Sequence, residues 1–149
     1  MPLRLVLDTN VWLDWLVFAD PAVASVRRSV ASGETVILID RACMDELERA
    51  LGYVLRDVVA TPESRAEWLD LVRATTRRHD GPSALDAPAL PQCRDPDDQK
   101  FLELARDCSA DILVTRDKAL LVLARHRVRP LSFRIVTPVQ FPEAVGRAA

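Results

Sequence analysis

LRLVLDTNVWLDWL, Leu3 to Leu16, holds two kinds of apolar run with a polar break between them. Leu3 to Leu7 is short and carries Leu and Val up to Asp8, the length and make-up of a buried strand. Val11, Trp12, Leu13, Trp15, Leu16 and Phe18 then resume at helical spacing. Asp8, Thr9 and Asn10 lie between, residue types that cap the exposed N–H groups opening a helix. The stretch predicts a strand, a capped turn and a helix.

The same alternation recurs outward along the chain. Pro21 opens a second helix that Gly33 can stop. Val36 to Ile39 reads as a buried strand, followed by a helix through Cys43, Leu47, Ala50 and Leu51. Thr61 and Pro62 suit the cap and first turn of a helix carrying Trp68, Leu69 and Val72, expected to run to about His79. Gly81 to Pro91 holds three prolines and a glycine and reads as a loop or a poor edge strand. A helix over 97–109 then precedes a strand at Ile112 to Val114. A short helix from Asp117, a strand at Arg134 to Val136 and a terminal helix opened by Pro138 complete the series. Strands that are continuously apolar and alternate with helices argue a mostly parallel sheet covered on both faces. The expected fold is α/β, a three-layer sandwich of about four to five central strands, in one domain over 1–149.

Composition narrows the function classes. Hydrophobic residues make up 49% and charged residues 28% of 149, which suits a packed domain rather than a disordered chain. Leu3 to Leu7 is too short for the apolar core of a signal peptide, and Asp14, Asp20 and Pro21 interrupt the longest weakly charged run, so no membrane span is expected. Cys43, Cys93 and Cys108 are odd in number and have no metal-ligand spacing, which suggests a reduced, cytoplasmic setting and no zinc site. The net charge of −2 does not advertise nucleic-acid binding by bulk attraction. Its distribution is uneven: Arg116, Lys118, Arg125, Arg127, Arg129 and Arg134 lie close together with Asp117 as the only acid among them. Solvated helix faces are the plainer reading of that run, a phosphate track the other.

The acids carry the chemistry. In CRDPDDQKFLELA, Cys93 to Ala105, three aspartates precede the apolar residues of one helix, and capping alone could account for them. Yet Asp8 ends the first strand, Glu46 lies early in the helix after the second, Asp98 opens the helix before the third, and Asp117 follows the third. In an open parallel sheet those ends line one edge, where ligands bind. Carboxylates gathered there repel one another unless protonated or joined by a cation, and an all-oxygen ligand set favours Mg²⁺ or Mn²⁺. Such a site suits phosphodiester hydrolysis.

Five segments together, VLDTNV (Val6 to Val11), MDELERAL (Met44 to Leu51), CRDPDDQKFLELA, ILVTRDKALL (Ile112 to Leu121) and IVTPVQF (Ile135 to Phe141), resemble the PIN-domain family, specifically its branch of toxins from toxin–antitoxin pairs. The resemblance implies a metal-dependent ribonuclease using Mg²⁺ or Mn²⁺, with Asp8, Glu46, Asp98 and Asp117 as catalytic and metal-binding acids and Asn10 and Thr115 in support. It further implies an RNA substrate, a small cognate antitoxin protein and a homodimer, with no membrane partner. Asp45 and Glu48 compete with Glu46, and Asp95 and Asp97 with Asp98. Ala119 stands where this branch commonly carries one more acid, which bears on a second metal ion.

Arg94, Arg116 and Lys118 flank the acids and are candidates for substrate phosphate contacts. Trp12 and Trp15 suit core or dimer packing, with base stacking as the sharper alternative. His79 and His126 lack ligand spacing and read as surface residues. A haloacid-dehalogenase-type phosphatase is excluded because position 10 is Asn, and a response-regulator receiver because its paired acids and lone phosphoacceptor are missing. The alternative of another class is a PIN-like module with weak or no catalysis that binds protein or RNA.

Overall fold

The computed structural model describes residues 1–55, 57–83, 85–125 and 130–148. The chain opens with β1 (Leu3–Leu7) and α1 (Thr9–Leu16), then a 3-10 turn over Pro21–Val23 that leads into α2 (Ala24–Ala31). Gly33 ends that unit with φ 82°, a left-handed conformation glycine adopts without strain. β2 (Thr35–Ile39) and α3 (Arg41–Ala50) follow, then a small hairpin of β3 (Val54–Leu55) and β4 (Val58–Val59), and α4 (Pro62–Thr75). β5 (Thr76–Arg78) leads into the proline-rich connection. A 3-10 turn over Pro96–Asp98 opens α5 (Gln99–Asp107), followed by β6 (Ile112–Val114), α6 (Lys118–Leu121), a 3-10 turn over Val122–Arg125, β7 (Arg134–Val136) and α7 (Phe141–Ala148).

Five strands form one sheet in the order β5-β2-β1-β6-β7, all parallel. β1 is central: Leu5 pairs with Ile37 of β2 on one side and Ile112 of β6 on the other. Helices cover the sheet, giving the expected three-layer α/β arrangement. Leu5, Ile37, Ile112 and Leu113 are wholly buried, which is why these strands carry no polar alternation. No helix among the described residues is long and apolar enough to cross a membrane.

Two expectations change. The helix expected to reach about His79 stops at Thr75, and Thr76–Arg78 joins β2 as the sheet's outermost strand. Its residues are polar, so hydrophobic period could not mark it; pairing with β2 decides its form. The β3–β4 hairpin is also new. Trp12 and Trp15 are buried in the core, stacked with ring centroids 5.2 Å apart, so α1 does not present them to a base or to a second copy. His79 is half-buried, and its Nε2 has no hydrogen-bond partner among the described residues. His126 lies outside the described residues.

Candidate active site

Aspartates cap the helices that leave the carboxyl edge of the sheet. Asp8 accepts the Val11 N–H through Oδ1 at 2.9 Å, Asp40 the Cys43 N–H at 2.9 Å and Asp117 the Ala119 N–H at 2.8 Å. Each bond satisfies a donor that the helix itself leaves unpaired, a contribution of ~1 kcal/mol. For Asp8 and Asp117 the cap occupies Oδ1, and Oδ2 faces other work.

The aspartates ahead of α5 divide their roles. Asp95 accepts the Asp97 N–H at 3.0 Å and so caps the 3-10 turn. Asp97 is exposed. Asp98, the residue before α5, makes no capping bond with its side chain. Its carboxyl group instead turns inward to Asp117, and its Oδ2 is buried with no hydrogen-bond partner among the described residues.

Thr115 joins the ends of β1 and β6. It is wholly buried, its hydroxyl donates to Asp8 Oδ2, and its own Oγ1 accepts the Asp117 N–H at 3.0 Å. One side chain thus fixes the carboxylate of Asp8 and the backbone that carries Asp117.

The electrostatics follow from this crowding. Burial pushes Asp8 up to about 6 against the downward pull of the Thr115 and Val11 hydrogen bonds, and the Asp117 charge pushes it further. Burial also raises Asp98 to about 7, with its hydrogen bond to Asp117 and the charges of Asp117, Asp95 and Asp8 adding to the effect. Asp117 is lowered by its hydrogen bond with Asp98, by the Ala119 N–H and by the Arg94 charge. The opposite shifts of Asp98 and Asp117 follow from two carboxyl groups crowded together, a charge that a shared proton or a cation offsets.

Glu46 reaches the same edge from α3 but is held differently. Its Oε1 forms an ion pair with Lys100 Nζ at 2.8 Å, and its Oε2 accepts a hydrogen bond from the Thr9 hydroxyl. Neighbouring Asp45 is exposed. Thr9 and Lys100 are site residues that the sequence reading passed over. Thr9 was there to be noticed in the D-T-N run beside Asp8, and Lys100 as the one base directly following the three acids.

Of the flanking bases, Arg94 is exposed and near enough to Asp117 to lower it, and Lys118 is exposed on the first turn of α6. Arg116 turns away from the acids, to Asp14 at 3.2 Å and Asp20 at 3.1 Å. Asn10 is exposed, and its backbone N–H helps to hold Asp8 down.

Among the described residues, no three acids, histidines or cysteines are disposed as a ready-made cage for a metal ion. The donor set nevertheless suits a hard divalent cation. Asp8, Asp98 and Asp117 offer only oxygen, and the buried Asp98 Oδ2 lacks a partner. Mg²⁺ commonly takes one or two carboxylates and completes its shell with water and phosphate, so the Asp98–Asp117 pair is sufficient as a starting point.

The family model described as PIN domain matches residues 4–119. No curated protein matches by sequence. Among solved structures, the chain is similar to VapBC2 from Rickettsia felis bound to a DNA fragment from their promoter, at 12% identity and a TM-score of 0.59 over 91% of this chain and 98% of that one. It is also similar to PAE2754 from Pyrobaculum aerophilum, at 14% identity and a TM-score of 0.57 over 97% of this chain and 90% of that one.

Proposed function

This chain belongs to the PIN-domain family, and on that premise we propose that it is a Mg²⁺- or Mn²⁺-dependent endoribonuclease, the toxin of a toxin–antitoxin pair. The observation that carries the reading is the meeting of Asp8, Asp98 and Asp117, from three distant segments, closely enough to shift one another's protonation. The likeness to VapBC2, solved on promoter DNA, supports a partner protein for this chain too.

In this reading Asp8, Asp98 and Asp117 hold the ion, with Glu46 at the rim. When bound, the ion supplies positive charge at the phosphoryl oxygens and makes water a better nucleophile at neutral pH. The chain's own residues do the rest. Thr115 keeps Asp8 Oδ2 in place, Asp98 gives up its proton to leave two oxygens available, and Lys100 offsets the charge of Glu46. Arg94 and Lys118 stand at the rim where the phosphates of RNA would arrive, where they position without reading sequence.

A second reading has a specific observation in its favour. Both Glu46 oxygens already have partners, and Ala119 removes one more acid, so the chain could serve as a PIN-like binding module with little catalysis.

The test is cleavage of a mixed single-stranded RNA pool with Mn²⁺ or Mg²⁺, with a chelator as control, comparing Asp98→Asn with Asp97→Asn. Asp98→Asn should lower cleavage by on the order of a hundredfold, whereas Asp97→Asn should change it less than about threefold. Equal losses would mean that the register of the acid run has been misread. Absence of both cleavage and calorimetric metal binding in folded protein would put the binding module first.

A further inference from the structure

A groove of about 700 Å³ runs along β7, the end strand of the sheet. The α6 segment and the 3-10 turn after it form one wall, and α7 forms the other. Among the described residues Arg125, Arg134 and Arg147 line it against one carboxylate, Glu143, in a chain whose net charge is −2. All three arginines are exposed. Arg125 and Arg134 belong to the basic run that stood out in the sequence, and the acid site does not use them.

The groove adjoins that site through two elements. Thr137, at one end, directly follows Val136, whose carbonyl accepts the Thr115 N–H at 2.9 Å. Thr115 is the residue that holds Asp8. The wall formed by α6 begins at Asp117, its capping residue, and ends at Leu121, which lines the groove.

We propose that this groove binds the sugar–phosphate backbone of single-stranded RNA on one side of the cleavage point, with Arg125, Arg134 and Arg147 contacting phosphates. The inference rests on the ribonuclease reading and extends it to the path of the substrate. Guanidinium groups match phosphate oxygens in a two-pronged geometry that ammonium groups lack. Arg134 Nη1 donates to the Ala144 carbonyl at 3.5 Å, a contact between β7 and α7, the two elements on either side of the groove. Arg147 pairs with Glu143 one helical turn away, both largely exposed, a type of pair weak enough for phosphate to displace. Phe133, the aromatic residue of the lining, is buried and so cannot stack a base. Binding should therefore depend on backbone charge, tolerate any sequence and weaken steeply with salt. An acidic peptide would match the same charges; continuity with the catalytic edge favours RNA.

The experiment uses Asp8→Asn protein, which binds without cutting, with and without Arg125→Ala and Arg147→Ala. Anisotropy of labelled oligouridylates of about four and about twelve nucleotides is followed over a salt series. For the longer RNA, the double arginine change should lower affinity about tenfold and reduce the log–log salt slope by ~1.4, two contacts at ~0.7 each. The shorter RNA should bind as before. Unchanged affinity and slope, or no RNA binding at all, overturns the proposal. So does loss of polyglutamate binding with RNA binding intact, which would assign the groove to a protein partner. Cleavage of the short RNA by Arg125→Ala/Arg147→Ala protein with Asp8 retained reports the nuclease separately. A cut RNA with unchanged binding leaves the nuclease and removes the groove. A changed slope with nothing cut does the reverse.

Discussion

Metal-free Asp8→Asn protein should unfold at a higher temperature than its parent above pH 6, and on the ribonuclease reading proposed above its RNA cleavage should fall by on the order of a hundredfold or more. The two effects share one cause. Burial holds the Asp8 carboxyl at about 6, against the ordinary 3.8 of an exposed one. A raised carboxyl favours the folded state when protonated, so its contribution is fully present below about pH 4 and is lost as pH rises through about 6. Above that, the ionised form costs on the order of 3 kcal/mol. Asparagine keeps an oxygen for the Val11 cap and carries no charge to desolvate. Its amide cannot accept from Thr115 as the carboxylate does, which returns ~1 kcal/mol of the gain. A net rise of roughly 4–8 °C remains. Thermal unfolding at pH 4 and pH 8 checks it: the gap between the proteins should open only at the higher pH. A lower melting temperature for Asp8→Asn at pH 8 would show that the carboxylate is not held at a cost to the fold.

Trp12→Ala is the larger blow to stability, with an expected loss of ~3–5 kcal/mol and a fall in melting temperature of roughly 6–20 °C. Trp12 is 2% exposed, and its ring stacks on Trp15 at 5.2 Å with 23° between planes. Removing it opens a void beneath the first turn of α1, where Trp12 N–H also donates to the Asp8 carbonyl at 3.2 Å. The damage should reach the site through α1 rather than through any contact with substrate. Urea unfolding gives the value, and a loss under about 1 kcal/mol would mean that the ring is not part of the core.

Much of this was legible in the sequence because local signals and tertiary demands agree. Leu3–Leu7, Ile112–Val114 and Arg134–Val136 appear as strands where apolar runs predicted them. That Asp8 and Asp117 meet at one edge was legible because each follows a strand that the sheet must bury. β5 was not, since Thr76, Arg77 and Arg78 owe their form to a neighbour rather than to their own pattern. The choice among Asp95, Asp97 and Asp98 depended on where a 3-10 turn gives way to α5, a boundary that no periodicity marks. The partners of Glu46 were also out of reach, because Thr9 and Lys100 meet it only once α1, α3 and α5 have packed together. Capping does not exclude the proposed chemistry, because a carboxylate has two oxygens and the caps of Asp8 and Asp117 use one each.

The two halves of the site differ in how they are anchored. Asp8 ends a strand paired on both sides, whereas Asp98 follows an irregular stretch over 85–95 that is held by side chains, with Gln99 bonding Pro91 and Cys93 at 3.2 and 2.7 Å and Arg106 bonding Pro88 at 3.3 Å. Native-state opening free energies range from nearly zero in such connections to the global value in central strands. Molecules in which this segment has swung out would keep an intact sheet and yet lack a complete site. Heating should therefore silence the protein some degrees before it melts, and the population competent to react at any moment is set by a local equilibrium that whole-chain stability does not report.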